Sequence, residues 1–499
     1  MMQRLSVAMS GATQQSLCAH LVRTDGQEDL CFALWRPSSG RERKSALLQE
    51  PVLPLPGERT LHGNASFQPD YLLRAAGEAA ARGAGLAFLH SHPGGRGWQG
   101  MSPPDRAAEE RIANLARETT GYPLVGLTLA GGDGSWSARV WNRGAGLGIA
   151  LTDCATVRSL DAGLRVSFND DVLPAPAARE TQVRTEDAWG SGTQSTIARL
   201  SVLVVGVGSV GMMVVDALAR MGVGCIGVMD FDTVELVNLD RLRYATRTDA
   251  RLLRSKAFVA RRLLAEASTA WRPRHEVYEV SVCEPEAMAR LLDFDVVFSC
   301  VDRPWPRHVL NTIAYADLIP VIDGGLLVER NRNGDLANAY WRSSVVGPGR
   351  PCLACQGQYE PGFVQVERDG SLDDPTYIAN LPPGSALRAR QNVAALSASV
   401  AAAQLEQFVA LVARPSGLGD PGPLRWSLRD HCVTREDIEC SSQCVHQESA
   451  SVGDGRFDPT GRHRAAEKAR EERRAMSLGL RLARRTDDVL WQLQQRLAR

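Results

Sequence analysis

Between residues 201 and 230 the chain reads strand, glycine loop, helix, strand, and that order admits few folds. Ser201-Val202-Leu203-Val204-Val205 is an apolar run of strand length, and Gly206-Val207-Gly208-Ser209-Val210-Gly211 follows at once. Residues 212–221 carry helical spacing, and 225–229 form a second short apolar run that ends in Asp230. Continuously apolar strands joined by a crossover helix belong in a parallel sheet covered on both faces. Residues 181–450 go on alternating short apolar runs with helical stretches, so they are expected to form a doubly wound α/β domain. The glycines let the backbone approach phosphate, the helix N-terminus offers free N–H groups, and an acidic residue at the next strand end suits a ribose hydroxyl. Taken alone, these features fit any nucleotide, including the nicotinamide or flavin of a dehydrogenase.

The next residues narrow the choice. Asp230-Phe231-Asp232-Thr233-Val234-Glu235-Leu236-Val237-Asn238-Leu239-Asp240-Arg241 closely resembles the signature of ThiF/MoeB-type and ubiquitin-activating adenylyltransferases. The resemblance implies a Rossmann-like domain that uses ATP and magnesium. It implies that Gly206, Gly208 and Gly211 form the phosphate loop, that Asp230, with Asp232 beside it, binds ribose, and that Asn238 and Arg241 reach the phosphates. Lys256 takes the place of the family's phosphate-contacting lysine. Asp302, after the apolar run 296–301, takes that of the magnesium-binding aspartate. The family also brings an arginine across from a partner subunit, which implies a homodimer. Arg184 is the candidate here, with Arg179 as substitute. Two positions depart from the pattern: Asp240, where the family often carries a polar amide or serine, and Leu242, where glutamine is usual. The Asp-x-Asp and Asn-Leu-x-Arg pattern has no role in hydride transfer, which sets the dehydrogenase reading aside.

The sequence holds 11 cysteines, and four fall in two close pairs, Cys352/Cys355 and Cys440/Cys444. Two knuckles from distant points in a chain suit a closed tetrahedral zinc, a structural staple. Cys432 or His431 could replace one ligand. The resembling family carries such a zinc in the same region. In some relatives a thioester cysteine sits on a loop after the first knuckle, but residues 356–390 contain no cysteine. Adenylation without an internal thioester is therefore expected, with possible transfer to a separate conjugating enzyme.

The N-terminal part carries a second constellation. The apolar run 85–89 leads into His90-Ser91-His92-Pro93, and Ser102-Pro103-Pro104-Asp105 follows a glycine-rich loop. Histidines two apart on a strand point to the same side. With a nearby carboxylate they form a three-ligand zinc site whose fourth position stays open, the arrangement of a catalytic zinc. This pattern resembles the JAMM motif of JAB/MPN-type metalloproteases over roughly residues 10–145. The resemblance implies His90, His92 and Asp105 as zinc ligands and Ser102 as hydrogen-bond donor to the developing oxyanion. It implies Glu28 as the base that takes a proton from the attacking water and passes it to the leaving amine. The loop from His92 to Ser102 is longer than the family's usual one, and its glycines can absorb the length.

The domain expectation is therefore an N-terminal JAB/MPN-type α/β domain at 1–147, a linker at 148–180 containing Pro174-Ala175-Pro176, a ThiF-type domain at 181–450, and a charged helical tail at 451–499. The tail is expected to pack on its own domain, with docking to a carrier or conjugating enzyme as the alternative. With 57 basic and 57 acidic residues the net charge is zero, so no global field recruits nucleic acid or an anionic membrane. No secretory signal and no unbroken apolar span is visible, and cysteines inside apolar strands suit a reducing cytoplasm. The fusion as a whole points to a bifunctional enzyme of a bacterial ubiquitin-like modification pathway. One half would cleave after a ubiquitin-like C-terminus, and the other would adenylate that terminal glycine. The alternatives are a pseudoenzyme half that serves as a binding platform, or a sulfur-carrier activating enzyme.

Overall fold

The computed structural model describes residues 3–143, 148–177, 179–381, 385, 387 and 391–497. The boundary expected at 147 and much of the cysteine-free loop (382–384, 386 and 388–390) lie outside the described residues. The N-terminal unit runs β1 (Arg4–Ser10), α1 (Gly11–Leu21), β2 (Leu30–Ser39), β3 (Arg43–Val52), β4 (Arg59–His62), β5 (Asn64–Phe67), α2 (Pro69–Ala81), β6 (Gly85–His92), α3 (Pro103–Thr120), β7 (Leu124–Ala130), β8 (Ser135–Arg143), β9 (Ile149–Asp153), β10 (Thr156–Leu160) and β11 (Leu164–Phe168). The following unit runs α4 (Val183–Trp189), α5 (Ser191–Arg199), β12 (Ser201–Val205), α6 (Ser209–Arg220), β13 (Cys225–Met229), α7 (Arg247–Arg251), α8 (Lys256–Ala267), β14 (Arg274–Tyr278), α9 (Pro285–Leu291), β15 (Val296–Ser299), α10 (Pro304–Ala316), β16 (Val321–Arg330), β17 (Leu336–Val346), α11 (Pro361–Arg368), α12 (Pro375–Asn380), α13 (Ala394–Ala413), β18 (Leu424–Ser427), β19 (Cys432–Arg435) and α14 (Val445–Glu448). Helices α15 (Arg464–Arg474) and α16 (Leu478–Leu497) complete the chain.

The first sheet has nine strands in the order β11-β10-β1-β3-β2-β6-β7-β8-β9. Strand β6 lies at its centre, antiparallel to β2 and parallel to β7, which sets His90 opposite Leu30 on one side and Thr128 on the other. Residues 149–168, expected as linker, instead form β9 to β11. Arg139 pairs with Asp153 across β8 and β9, and β10 runs parallel to β1. Their short alternation of polar and apolar residues carries little signal; β9 and β11 form hairpins with β8 and β10, and the parallel pairing of β10 with β1, distant in sequence, ties them into the sheet. The loop after β11, with its Pro-Ala-Pro, is what remains of the linker.

The second sheet has eight strands in the order β14-β13-β12-β15-β16-β17-β18-β19. Strands β12 to β16 are parallel, and β17 to β19 continue antiparallel. This is the expected doubly wound architecture. Helix α13 is long and apolar enough to cross a bilayer by composition. It packs instead into the core through Val400, Phe408 and Leu411, while its buried Gln404 bonds the carbonyls of Ser299 and Ile322, each at 3.0 Å.

The two units are joined through buried charge at the N-terminal ends of the parallel strands. Arg43, 2% exposed, donates to the carbonyls of Leu292 (3.0 Å) and Phe294 (2.6 Å) and pairs with Asp295 at 2.5 Å. Arg158 approaches the same carboxylate at 3.5 Å. The amides of Glu42 and Arg43 both donate to Asp293 at 2.9 Å. Asp317 accepts from Ser38 (2.8 Å) and from Arg456 (2.9 Å). Removing one partner of a buried ion pair leaves the other charge uncompensated. Arg43→Ala is therefore expected to lower stability by about 3 kcal/mol, read as a fall in the thermal transition with new proteolytic cleavage between the units; an unchanged transition would contradict this.

Candidate functional sites

The first site sits at the C-terminal end of β6. The Nε2 atoms of His90 and His92 face each other at 3.3 Å, and Asp105 Oδ2 lies 3.8 Å from each. All three ligand atoms fall within 4.8 Å of one another. The period of the strand points both rings to one side, and a helix start delivers the carboxylate. Ser102 caps α3, and Asp105 closes the capping box at its third position. Ser102 thus differs from its expected role. Its hydroxyl donates to Asp105 at 2.7 Å, so it orients the carboxylate and is not held free for an oxyanion.

A neutral His90 and an ionised Asp105 suit a cation. Burial, helped by the charge of Arg139, pushes His90 down to about 3, which leaves the ring neutral. Pairing with His92, 3.8 Å away, holds Asp105 below the usual carboxylate range and raises His92 in turn. Metal ligands must be a neutral imidazole and a carboxylate. Glu28 is raised by burial, with the charges of His92 and Asp105 acting on it in opposite senses. Its neighbour Asp29 is tied to the segment that carries the histidines. Asp29 N donates to Ser91 Oγ and Ser91 N to Asp29 O, each at 3.0 Å, tying the residue after Glu28 to the one between the histidines.

Sequence reasoning missed the layer behind these ligands. Gln99 Oε1 lies 3.4 Å from His92 Nδ1. Thr128 Oγ1 lies 3.4 Å from His90 Nε2 and accepts from Arg139 at 2.7 Å. Arg139 also pairs with the fully buried Glu109, which accepts from Trp141 at 2.7 Å. A partner on the second ring nitrogen, as Gln99 is for His92, fixes ring orientation at metal sites. The available signal is an arginine set between Ala138 and Val140 in the middle of β8.

The second site lies at the C-terminal ends of β12, β13 and β15. Gly206 adopts φ +83°, and a Cβ there would meet the Cys300 carbonyl at 2.6 Å, so no other residue fits the turn. A Cβ on Gly211 would collide with the Gly206 carbonyl, whereas one on Gly208 meets nothing within 4 Å. The open space lies where phosphate is expected, in front of α6, whose N-terminus has no side-chain cap. Asp230 accepts from the amides of Val207 and Asp232, each at 2.8 Å, and burial raises its carboxyl. Lys256 pairs with Asp232 at 2.7 Å. Its burial, which would lower it, is outweighed by Asp230 and Asp232, with Asp302 adding to the effect, so its ammonium is retained. These residues gather at one place. Asn238 and Arg241 lie on the loop beside it, occupied locally: Asn238 Oδ1 accepts from Glu235 N at 3.0 Å, and Arg241 pairs with Asp240 at 2.7 Å. Arg184 is exposed on α4, with no hydrogen bond or ion pair among the described residues. Arg179 is committed to the Ala270 carbonyl at 2.9 Å.

The tail, read as packing on its own domain, encloses this site from one side. Arg473 donates to the Phe231 carbonyl at 2.6 Å, and the His463 ring stands edge-on to Phe231 and Trp305. Arg254, two residues before Lys256, pairs with Asp487 and Asp488 on α16.

The four thiolates Cys352, Cys355, Cys440 and Cys444 lie within 4.8 Å of one another, and Cys352 Sγ is 3.7 Å from Cys444 Sγ. The edge of a tetrahedron with Zn–S near 2.3 Å is about 3.8 Å, so the group fits zinc. Cys432 is exposed on β19 and outside the group.

Glu367 caps α10 behind Asp302 by accepting from Trp305 N at 2.7 Å, and burial raises it to about 7. A carboxyl raised on folding keeps a proton that the unfolded chain has released, so stability falls as pH rises from about 4.5 to about 7. Glu367→Gln is expected to flatten the pH dependence of the thermal transition in that window; an unaltered slope would show that Glu367 does not titrate there.

Residues 180–417 match the ThiF family. The chain is 30% identical to the sulfur carrier protein adenylyltransferase of Thermus thermophilus over 166 residues, 33% of this chain and 58% of that protein. It is 29% identical to the molybdopterin-synthase adenylyltransferase of Escherichia coli over 164 residues, 32% of this chain and 60% of that protein. It is 25% identical to the adenylyltransferase and sulfurtransferase MOCS3 of Caenorhabditis briggsae over 216 residues, 43% of this chain and 48% of that protein. The chain thus spans about half to three fifths of the length of these relatives.

Proposed function

We propose that the chain, which carries a Rossmann-like ThiF-family domain at residues 180–417, is an adenylyltransferase. Its substrates are ATP and the C-terminal carboxylate of a sulfur-carrier protein of the ubiquitin-like kind. The observation that carries this reading is the convergence of the open glycine loop, Asp230, Lys256 and Asp302 at one end of the parallel strands, in a domain whose relatives are named for this activity. The partner's carboxylate attacks the α-phosphate, the bond to the β-phosphate breaks, and an acyl-adenylate and pyrophosphate result. The α6 amides and Lys256 hold the phosphates and disperse their charge, while Asp230 orients the ribose. Magnesium would supply positive charge at the phosphates, and Asp302 is the carboxylate placed to hold it. In a homodimer the free Arg184 could reach the partner's phosphate site. All 11 cysteines are unpaired, which supports a reducing compartment. ATP–pyrophosphate exchange is expected only with a glycine-ended carrier protein, and Asp302→Ala should reduce it about a hundredfold. ATP binding without exchange, whatever glycine-ended carrier is supplied, would overturn the reading.

A second activity is favoured by a separate observation, the facing Nε2 atoms of His90 and His92 with Asp105 and Glu28 beside them. We propose a zinc-dependent peptidase or isopeptidase there, acting after the C-terminus of the carrier. Zinc would supply a Lewis acid for the scissile carbonyl. Glu28 takes the proton of the attacking water and delivers it to the leaving amine. Metal analysis is expected to find two zinc ions per chain, one in each cluster, with His92→Ala removing one and Cys352→Ser the other. Glu28→Gln should keep both ions while losing at least about a hundredfold in cleavage. One zinc per chain, insensitive to His92→Ala, would rule the peptidase out.

A further inference from the structure

Beside the histidine cluster opens a cavity of about 470 Å³, within the size range of ligand sites. Two of its lining residues adjoin the metal-type ligands. Gln99 reaches His92, and Arg106 follows Asp105 on α3. Trp98, Met101 and Leu151 give it apolar surface.

The charges around it do not cancel. Arg139 is neutralised by the buried Glu109, and Asp170 is taken by Arg199 at 2.6 Å. Asp153 and Asp171 have no ion pair among the described residues, and they face one guanidinium, Arg106. Asn169, 3% exposed, accepts from Asp171 N at 3.0 Å. Its side-chain amide N–H groups have no partner among the described residues, and it lines the cavity as a donor for a peptide carbonyl. A mainly polar slot with some apolar wall, an unused amide donor and excess carboxylate suits a peptide side chain that ends in a cation.

We propose that this cavity is a subsite seating a lysine or arginine side chain of the substrate next to the zinc centre. The proposal rests on the peptidase reading, and its test separates the two. Fluorescein-labelled Gly-Gly-Lys-Gly and Gly-Gly-Gln-Gly peptides are titrated by anisotropy into full-length, zinc-loaded protein carrying Glu28→Gln to prevent turnover. The lysine peptide is expected to bind about tenfold tighter, with the preference shrinking at high salt. Asp153→Asn with Asp171→Asn should abolish that preference without changing zinc content or the thermal transition. Equal binding of the two peptides, or a preference that survives the double substitution, overturns the subsite. Turnover of both peptides by unsubstituted protein without preference likewise removes the subsite and leaves the peptidase reading. Selective binding without any turnover leaves the subsite and removes the peptidase reading.

Discussion

The buried cluster of Arg43, Arg158, Asp293 and Asp295 is the constraint on which the arrangement of both units depends. It seats the first sheet against the loop that enters β15, at the N-terminal ends of the parallel strands. The nucleotide-type site occupies the opposite ends of those strands. A five-residue strand such as β12 spans about 16 Å, so about that length of strand separates the ionic cluster from the nucleotide-type site. Buried ions of this kind are costly to desolvate, and they require their opposite charges to stay in place. That requirement favours a single docking of the units over a flexible tether.

The two metal-type clusters differ as their chemistry requires. The thiolates close a tetrahedron from two distant loops and leave no open position, as in a staple. The histidines and Asp105 provide only three ligands, with an ionisable Glu28 alongside. Rigid elements hold this set: a central strand, a capped helix start and a network running from Gln99 to Glu109. Preorganisation of this type is what a reacting centre needs, because the ligands do not have to reorganise as charge develops.

At the nucleotide-type site the tail adds a constraint of its own. Helix α15 contacts the carbonyl of Phe231, next to Asp230, and α16 pairs with Arg254 near Lys256. The last helices therefore brace the two segments that present the carboxylate and the ammonium. Helices α15 and α16 thus pack beside the site.

Local chemistry made some of this legible in the residues alone. The strand at 201–205, the Gly206 turn, the His90/His92 pair and the Ser102–Asp105 helix start are short-range patterns, each set by residues within a few positions of one another. The four zinc-type cysteines were legible by spacing, although the exclusion of Cys432 was not, because it depends on where β19 runs. Strand β10 was not legible either: it pairs in parallel with β1, far away in the chain, and the short hairpin strands β9 and β11 flank that arrangement. The dependence of His90 on Arg139 and the charge left over in the cavity arise from side chains distant in sequence. Local pattern thus dictates which groups are available, while only tertiary packing decides which of them are paired, buried or free, because electrostatics and desolvation act through space and not along the chain.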